Sequence, residues 1–211
     1  MLKRISAITT ASAAATALAV GLSPAPSSAT TATTWTVSPG GSVTVSGAAE
    51  LKDTKLKTRT PCKSVKLDAA LKSGSGLAGA GVGSIMSGAF TGCTLGGALI
   101  LSANMVVNGL PWRVNATTYA SGVTTGTITG IDLVATVTGC TATLDGTAAG
   151  ADNGVIRFTY TNSTGKLRLL PEGGNLHWWA VAGCLGLVGT GDPVQPSDSL
   201  TVKPEQTITS P

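Results

Sequence analysis

The chain has 211 residues, of which 42% are hydrophobic, 11% charged and 4% aromatic, with 28 glycines, four cysteines and a single histidine. Fourteen basic against ten acidic residues give a formal charge of +4. The apolar content is too high for a disordered chain and sufficient for a core. The small basic excess disfavours a nucleic-acid partner, and the shortage of Glu, Lys and Leu excludes a coiled coil.

Met1-Leu2-Lys3-Arg4 and the uncharged, Ala-rich run Ile5–Leu22 read as the first two regions of a secretory signal peptide. Pro24-Ala25-Pro26-Ser27-Ser28-Ala29 breaks a helix and offers small residues at 27 and 29, placing cleavage after Ala29. The expected organisation is a signal peptide at 1–29 and one secreted β domain at 30–211, with its core at about 34–209. The run is long enough to span a bilayer, but its Ala, Thr and Ser content is weakly apolar. The longest later apolar run, Ala98–Val107, is far short of the ~20 residues of a membrane helix, so no stable transmembrane segment is expected after cleavage. Cleavage leaves 12 basic residues against 10 acidic. The expected location is extracellular, free or loosely held by the cell wall.

The rest reads as strand and turn. Trp35-Thr36-Val37-Ser38-Pro39 resembles Leu200-Thr201-Val202-Lys203-Pro204, and both are expected as edge strands closed by a proline. Between Lys52 and Lys72 fall seven of the mature chain's basic residues, Lys52, Lys55, Lys57, Arg59, Lys63, Lys66 and Lys72. Such a patch suits an anionic polymer, lipid headgroup or nucleic acid, but its ordinary role is a solvated edge that deters strand pairing, and Glu50, Asp53 and Asp68 partly cancel its field. In 63–72, Val65, Leu67, Ala69 and Leu71 share one face of a half-buried strand. Gly74–Gly88 is either a long loop or a strand where backbones approach closely. In 123–137, Val123, Ile131, Leu133, Ala135 and Val137 share a face, interrupted by Thr125, Thr127 and Thr129. Turn signals at Asn108-Gly109, Asp145-Gly146, Asp152-Asn153-Gly154 and Glu172-Gly173-Gly174 separate the strands. The predicted fold is all-β, an antiparallel sandwich or closed barrel of about ten short strands.

Export makes Cys62, Cys93, Cys140 and Cys184 a disulfide framework. Cys62-Lys63-Ser64-Val65-Lys66-Leu67-Asp68 aligns with Cys140-Thr141-Ala142-Thr143-Leu144-Asp145, and Thr91-Gly92-Cys93 with Ala182-Gly183-Cys184. This internal repeat favours Cys62–Cys93 and Cys140–Cys184. A metal or reactive-thiol role lacks any Cys-x-x-Cys spacing.

Chemistry is sparse. Any acyl-transfer triad has to use His177, and no Gly-x-Ser-x-Gly elbow occurs. Most acids sit in turns; Asp132 is the exception, inside a strand on the face opposite the apolar set, where solvent exposure is the plain reading. Asp152-Asn153-Gly154 has one acid where a calcium loop needs several. No catalytic, cofactor or metal residues are assigned. Adjacent Trp178 and Trp179 point to opposite faces if strand-borne, one core and one more exposed. They are the candidate ligand contacts, with a cell-wall or extracellular glycan as the candidate partner, although burial or a dimer contact explains them as well.

Gly126-Thr127-Ile128-Thr129-Gly130, Phe158-Thr159-Tyr160-Thr161-Asn162-Ser163-Thr164-Gly165-Lys166-Leu167, Gly174-Asn175-Leu176-His177 and Gly183-Cys184-Leu185-Gly186-Leu187 resemble small secreted proteins of actinobacteria. The resemblance covers most of the mature chain. It implies export and a four-cysteine β domain without an activity. The expected function is therefore a non-enzymatic, disulfide-braced module for binding or structure at the cell surface. The alternatives are an envelope-associated hydrolase of a wall polymer using Asp132 or His177, and an outer-envelope barrel component.

Overall fold

The computed structural model describes residues 34–96 and 100–211; the expected signal peptide lies outside the described residues. All regular structure there is β, in fourteen strands rather than ten. They are β1 (Thr34–Ser38), β2 (Gly41–Asp53), β3 (Arg59–Leu71), β4 (Gly74–Ala78), β5 (Gly83–Gly96), β6 (Ile100–Asn108), β7 (Trp112–Ala120), β8 (Val123–Val137), β9 (Cys140–Asp145), β10 (Gly154–Thr161), β11 (Lys166–Leu170), β12 (His177–Ala182), β13 (Val194–Lys203) and β14 (Thr207–Thr209). Gly74–Gly88 is strand, not loop, for most of its length.

Eleven strands form one antiparallel sheet that closes on itself. The ring runs β8, β7, β5, β3, β2, β13, β11, β10 and back to β8. An eight-strand barrel has an interior just wide enough for side chains to fill or for one small ligand. Four strands are 13 to 15 residues long, because they run on past the ring. Beyond it β6 bridges the far ends of β5 and β8, β9 pairs with β8, and β12 with β9.

The alternation in β3 is as the sequence predicts: Val65, Leu67 and Ala69 are buried, and Lys63, Lys66 and Asp68 exposed. β8 behaves differently. Its first half buries the even positions Thr124, Gly126 and Ile128, and its second half the odd positions Ile131, Leu133, Ala135 and Val137. The parity changes at Gly130, whose φ is +87°, where β10 skips a residue between its pairings to Thr129 and Ile131. This is a β-bulge built on a glycine in the left-handed region. It accounts for the three threonines that break the odd-numbered face, because in that half the odd positions point outward.

The two edge-strand expectations fail. β1 is the central strand of a three-stranded sheet between β14 and β4, and Leu200–Lys203 lies in β13 between β11 and β2. A proline beyond a strand stops it without making it an edge, and here Pro39 and Pro204 both follow their strands.

The small sheet lies against one end of the barrel, which receives Ile208 and Gln206 as lining. Gln206 is 1% exposed, and every polar group is paired. Its backbone N–H donates to the Tyr160 hydroxyl at 2.9 Å, which donates to the Gln206 carbonyl at 2.9 Å. Its side chain accepts from the Gly40 N–H at 2.8 Å and donates to the Pro204 carbonyl. Asn162 holds the next residue but one, accepting from the Ile208 N–H and donating to its carbonyl.

All four cysteines are paired, Cys62 with Cys93 and Cys140 with Cys184, the two pairs favoured by the internal repeat. The first joins facing residues of β3 and β5; the second ties the start of β9 to the segment after β12.

Two outcomes follow from these ties. Tyr160→Phe leaves both Gln206 backbone groups without their buried partner, so thermal unfolding should show a loss of about 1–3 kcal/mol. The double variant Cys62→Ala with Cys93→Ala removes a 31-residue loop constraint and should lose about 3–4 kcal/mol, read from urea unfolding. An unchanged midpoint in either case would show that the tie is dispensable.

Candidate functional site

The barrel interior is a cavity of about 100 Å³. Every ring strand contributes to it: Val45 from β2, Leu67 from β3, Ile85 from β5, Val114 from β7, Ile128 from β8 and Phe158 from β10 are examples. Glu50, Trp112, Tyr160 and Gln206 bring polar groups to the lining; the Trp112 indole donates to the Asn108 carbonyl, and the Tyr160 hydroxyl and the Gln206 backbone are hydrogen-bonded to each other. Burial pushes the Tyr160 phenol above its ordinary range, so it stays a protonated donor. Nothing in this lining solvates a charge or a hydroxyl, and an apolar cavity of comparable size, ~150 Å³, stays dry and takes up hydrocarbon.

The residues singled out by sequence lie elsewhere, around β8, β9 and β12. Trp178 is 1% exposed, packed under β9 with Leu95, Ala135 and Val188, and closed to solvent. Trp179 is half-buried, donates its indole N–H to the Gly146 carbonyl at 3.2 Å and sits 5.9 Å from the His177 ring. His177 Nδ1 lies 2.7 Å from the Asn175 carbonyl oxygen. The tryptophans thus take opposite faces, one core and one partly open.

The basic residues of 52–72 line β2, β3 and their connection. Lys55 is 2.7 Å from buried Asp192, Arg59 is 3.3 Å from Glu50, and Lys66 is 4.0 Å from Asp68. The ammonium of Lys55 is held above its ordinary range by its hydrogen bond to Asp192. Three of the seven basic residues are therefore paired with acidic neighbours.

Asp132 corrects the sequence reading. It is 6% exposed, not solvated. The bulge at Gly130 sets Ile131, Asp132 and Leu133 in a consecutive buried run, at the point where β8 exchanges its partners. One carboxylate oxygen from each of Asp132, Asp145 and Asp152 lies within 4.8 Å of the others. Asp145, fully buried at the end of β9, accepts four backbone N–H groups, those of Gly146, Ala151, Asp152 and Asn153, and so shapes the turn between β9 and β10. Asp152 is exposed in that turn. Sequence reasoning missed this convergence because 132, 145 and 152 belong to different elements; the available signal was an aspartate inside a strand followed by two Asp-rich turns.

Burial, with the charges of Asp145 and Asp152 beside it, pushes the Asp132 carboxyl above the ordinary carboxylate range. The native state then keeps a proton that the unfolded chain releases above its pKa of about 3.9, so this group removes stability as pH rises from there toward its raised native value. Asp132→Asn, which cannot ionise, should be more stable relative to the parent at pH 7 than at pH 3.5, in urea unfolding with a chelator present. The same difference at both pH values would overturn this.

No curated protein and no solved structure matches the chain. The profile of one family, described as alkane oxidation protein activator PraA/PraB-like, matches residues 2–209. This corrects the expectation of a surface binding or structural module, and its hydrolase and envelope-barrel alternatives, because the family points to alkane oxidation. The family is named for an activator and not for an enzyme. Since the match runs through nearly the whole length, the chain belongs to the alkane oxidation protein activator PraA/PraB-like family.

Proposed function

We propose that this protein serves alkane oxidation as an accessory, by taking an alkyl chain into the barrel interior and holding it in a form that the oxidising enzyme can draw on, without oxidising it. The observation that carries this reading is the cavity lined by hydrocarbon on every ring strand. An alkane offers no charge, dipole or hydrogen-bonding group, so a protein can select it only by burying it among apolar side chains. Three or four methylenes taken from water contribute roughly 3 kcal/mol. The one carboxylate of the lining, Glu50, lies 3.3 Å from Arg59, and the family's name as an activator supports assistance rather than turnover.

We place the protein outside the cytoplasm. The support is that all four cysteines are in disulfides, which persist in oxidising compartments. No helix among the described residues is long and apolar enough to cross a membrane.

Ala69 lines the cavity from β3, and Ala69→Phe places a ring in it at an overpacking cost of about 1–3 kcal/mol. Partition of a radiolabelled n-alkane between buffer and protein should show saturable binding by the parent and at least ~10-fold weaker binding by the variant, a difference of about 1.4 kcal/mol. Circular dichroism confirms that the variant is folded. Absence of saturable binding by the parent, or equal binding by the folded variant, would refute the reading.

A further inference from the structure

Three carboxylates crowded at a strand junction need a compensating charge, and the molecule solves that problem in two different ways. At the pair Asp53 and Asp192, both buried, Lys55 reaches in and places its Nζ 2.7 Å from Asp192 Oδ1. At Asp132, Asp145 and Asp152 no lysine, arginine or histidine forms an ion pair among the described residues. Backbone N–H groups answer Asp145 alone, with two donors to each of its oxygens. Asp132, more than nine-tenths buried, has an Oδ1 with no hydrogen-bond partner.

We propose that Asp132 and Asp152 bind one calcium ion here. Two oxygens on a single calcium, each at 2.3–2.6 Å, stand at most about 5 Å apart, and one carboxylate oxygen from each of the three aspartates lies within 4.8 Å of the others. Calcium takes carboxylates directly in a flexible shell of oxygens, whereas magnesium demands a strict octahedron and keeps several of its waters. Asp132 supplies the unpartnered oxygen from β8, and Asp152 supplies the second ligand from the turn. Asp145 is a positioning residue: its hydrogen bonds to the N–H groups of Ala151 and Asp152 set that turn, and its charge adds to the attraction. The space that admits the Asp152 carboxylate exists because residue 109 is glycine; a Cβ there would lie 2.7 Å from Asp152 Oδ1. An opening of mixed polarity, lined by Pro111, Arg113, Thr129, Asp152 and Asn153 among others, adjoins the site, where water can complete the six to eight oxygens that calcium takes. Asp152, exposed, is the entry ligand, and Asp132 the interior one.

The site makes the β9–β10 turn and the β8 junction a calcium-dependent unit, independent of whether the barrel holds an alkane. Its test is calcium titration of the purified, EDTA-treated chain. Millimolar calcium, in the range of extracellular sites with Kd near 10⁻⁴–10⁻³ M, should raise the Tm by about 3–10 °C at 10 mM, with magnesium giving less. Terbium should bind at the same place and emit on excitation of Trp112, whose indole donates to the carbonyl of Asn108, the residue facing Asp132 across β6 and β8. Calcium should displace it. Asp152→Asn alters an exposed side chain and removes one of the charges beside Asp132, so it should not lower the calcium-free Tm, and it should lose at least ~10-fold in calcium affinity. A Tm indifferent to 10 mM calcium would overturn the proposal, as a proton shared by the carboxyls would then neutralise the cluster. So would an Asp152→Asn response equal to the parent's, or an equal effect of magnesium.

Discussion

Much of this molecule depends on β8 hydrogen-bonding to two different pairs of neighbours along its length. From Val123 to Ile131 it lies between β7 and β10; from Asp132 to Val137 it lies between β6 and β9. The first pairing closes the barrel and creates its apolar interior. The second opens the sheet toward β12 and carries Trp178 into the part of the core that lies beneath β9. The exchange is possible because Gly130 takes a backbone conformation that other residues resist, and absorbs the extra residue there.

That junction also explains why the hydrocarbon interior and the acidic cluster belong to one protein. Where β10 leaves β8 and β9 takes its place, a turn has to cross the strand end, and the turn's backbone donors need acceptors. Asp145 provides them. The carboxylates of Asp132 and Asp152 then lie at the rim of the closed ring, on a side of β8 that the barrel's apolar residues do not use. An interior that recognises only shape and apolarity thus sits beside a site that recognises only charge.

Some of this was written plainly in the chain. The two-residue period in 63–72 gave β3 and its buried face, because from Val65 to Leu71 that strand pairs residue for residue with β2, and the irregularity opposite Ala69 falls in β5. The internal repeat gave the cysteine pairs, since each half carries one opening and one closing cysteine, the first pair on adjacent strands and the second between β9 and the segment after β12. The buried position of Asp132 was hidden, because alternation counted along the strand has no way to register a bulge at Gly130. The sequence left a sandwich and a closed barrel as equal alternatives, because ring closure rests on strands far apart in sequence. The role in alkane oxidation left no local motif, for the lining of an apolar cavity uses the same Val, Leu and Ile as any core. Family membership supplied what spacing could not.

The ring has a seam. β2, among the first strands of the chain, pairs along most of its length with β13, among the last, so that Val45 meets Val202. A chain still emerging from its site of synthesis or passing end-first through a narrow channel has no partner for that edge of β2, and cannot close the barrel until its final residues are free. Contacts of such long range are also slow to form. The topology therefore defers the apolar interior until β13 can pair with β2.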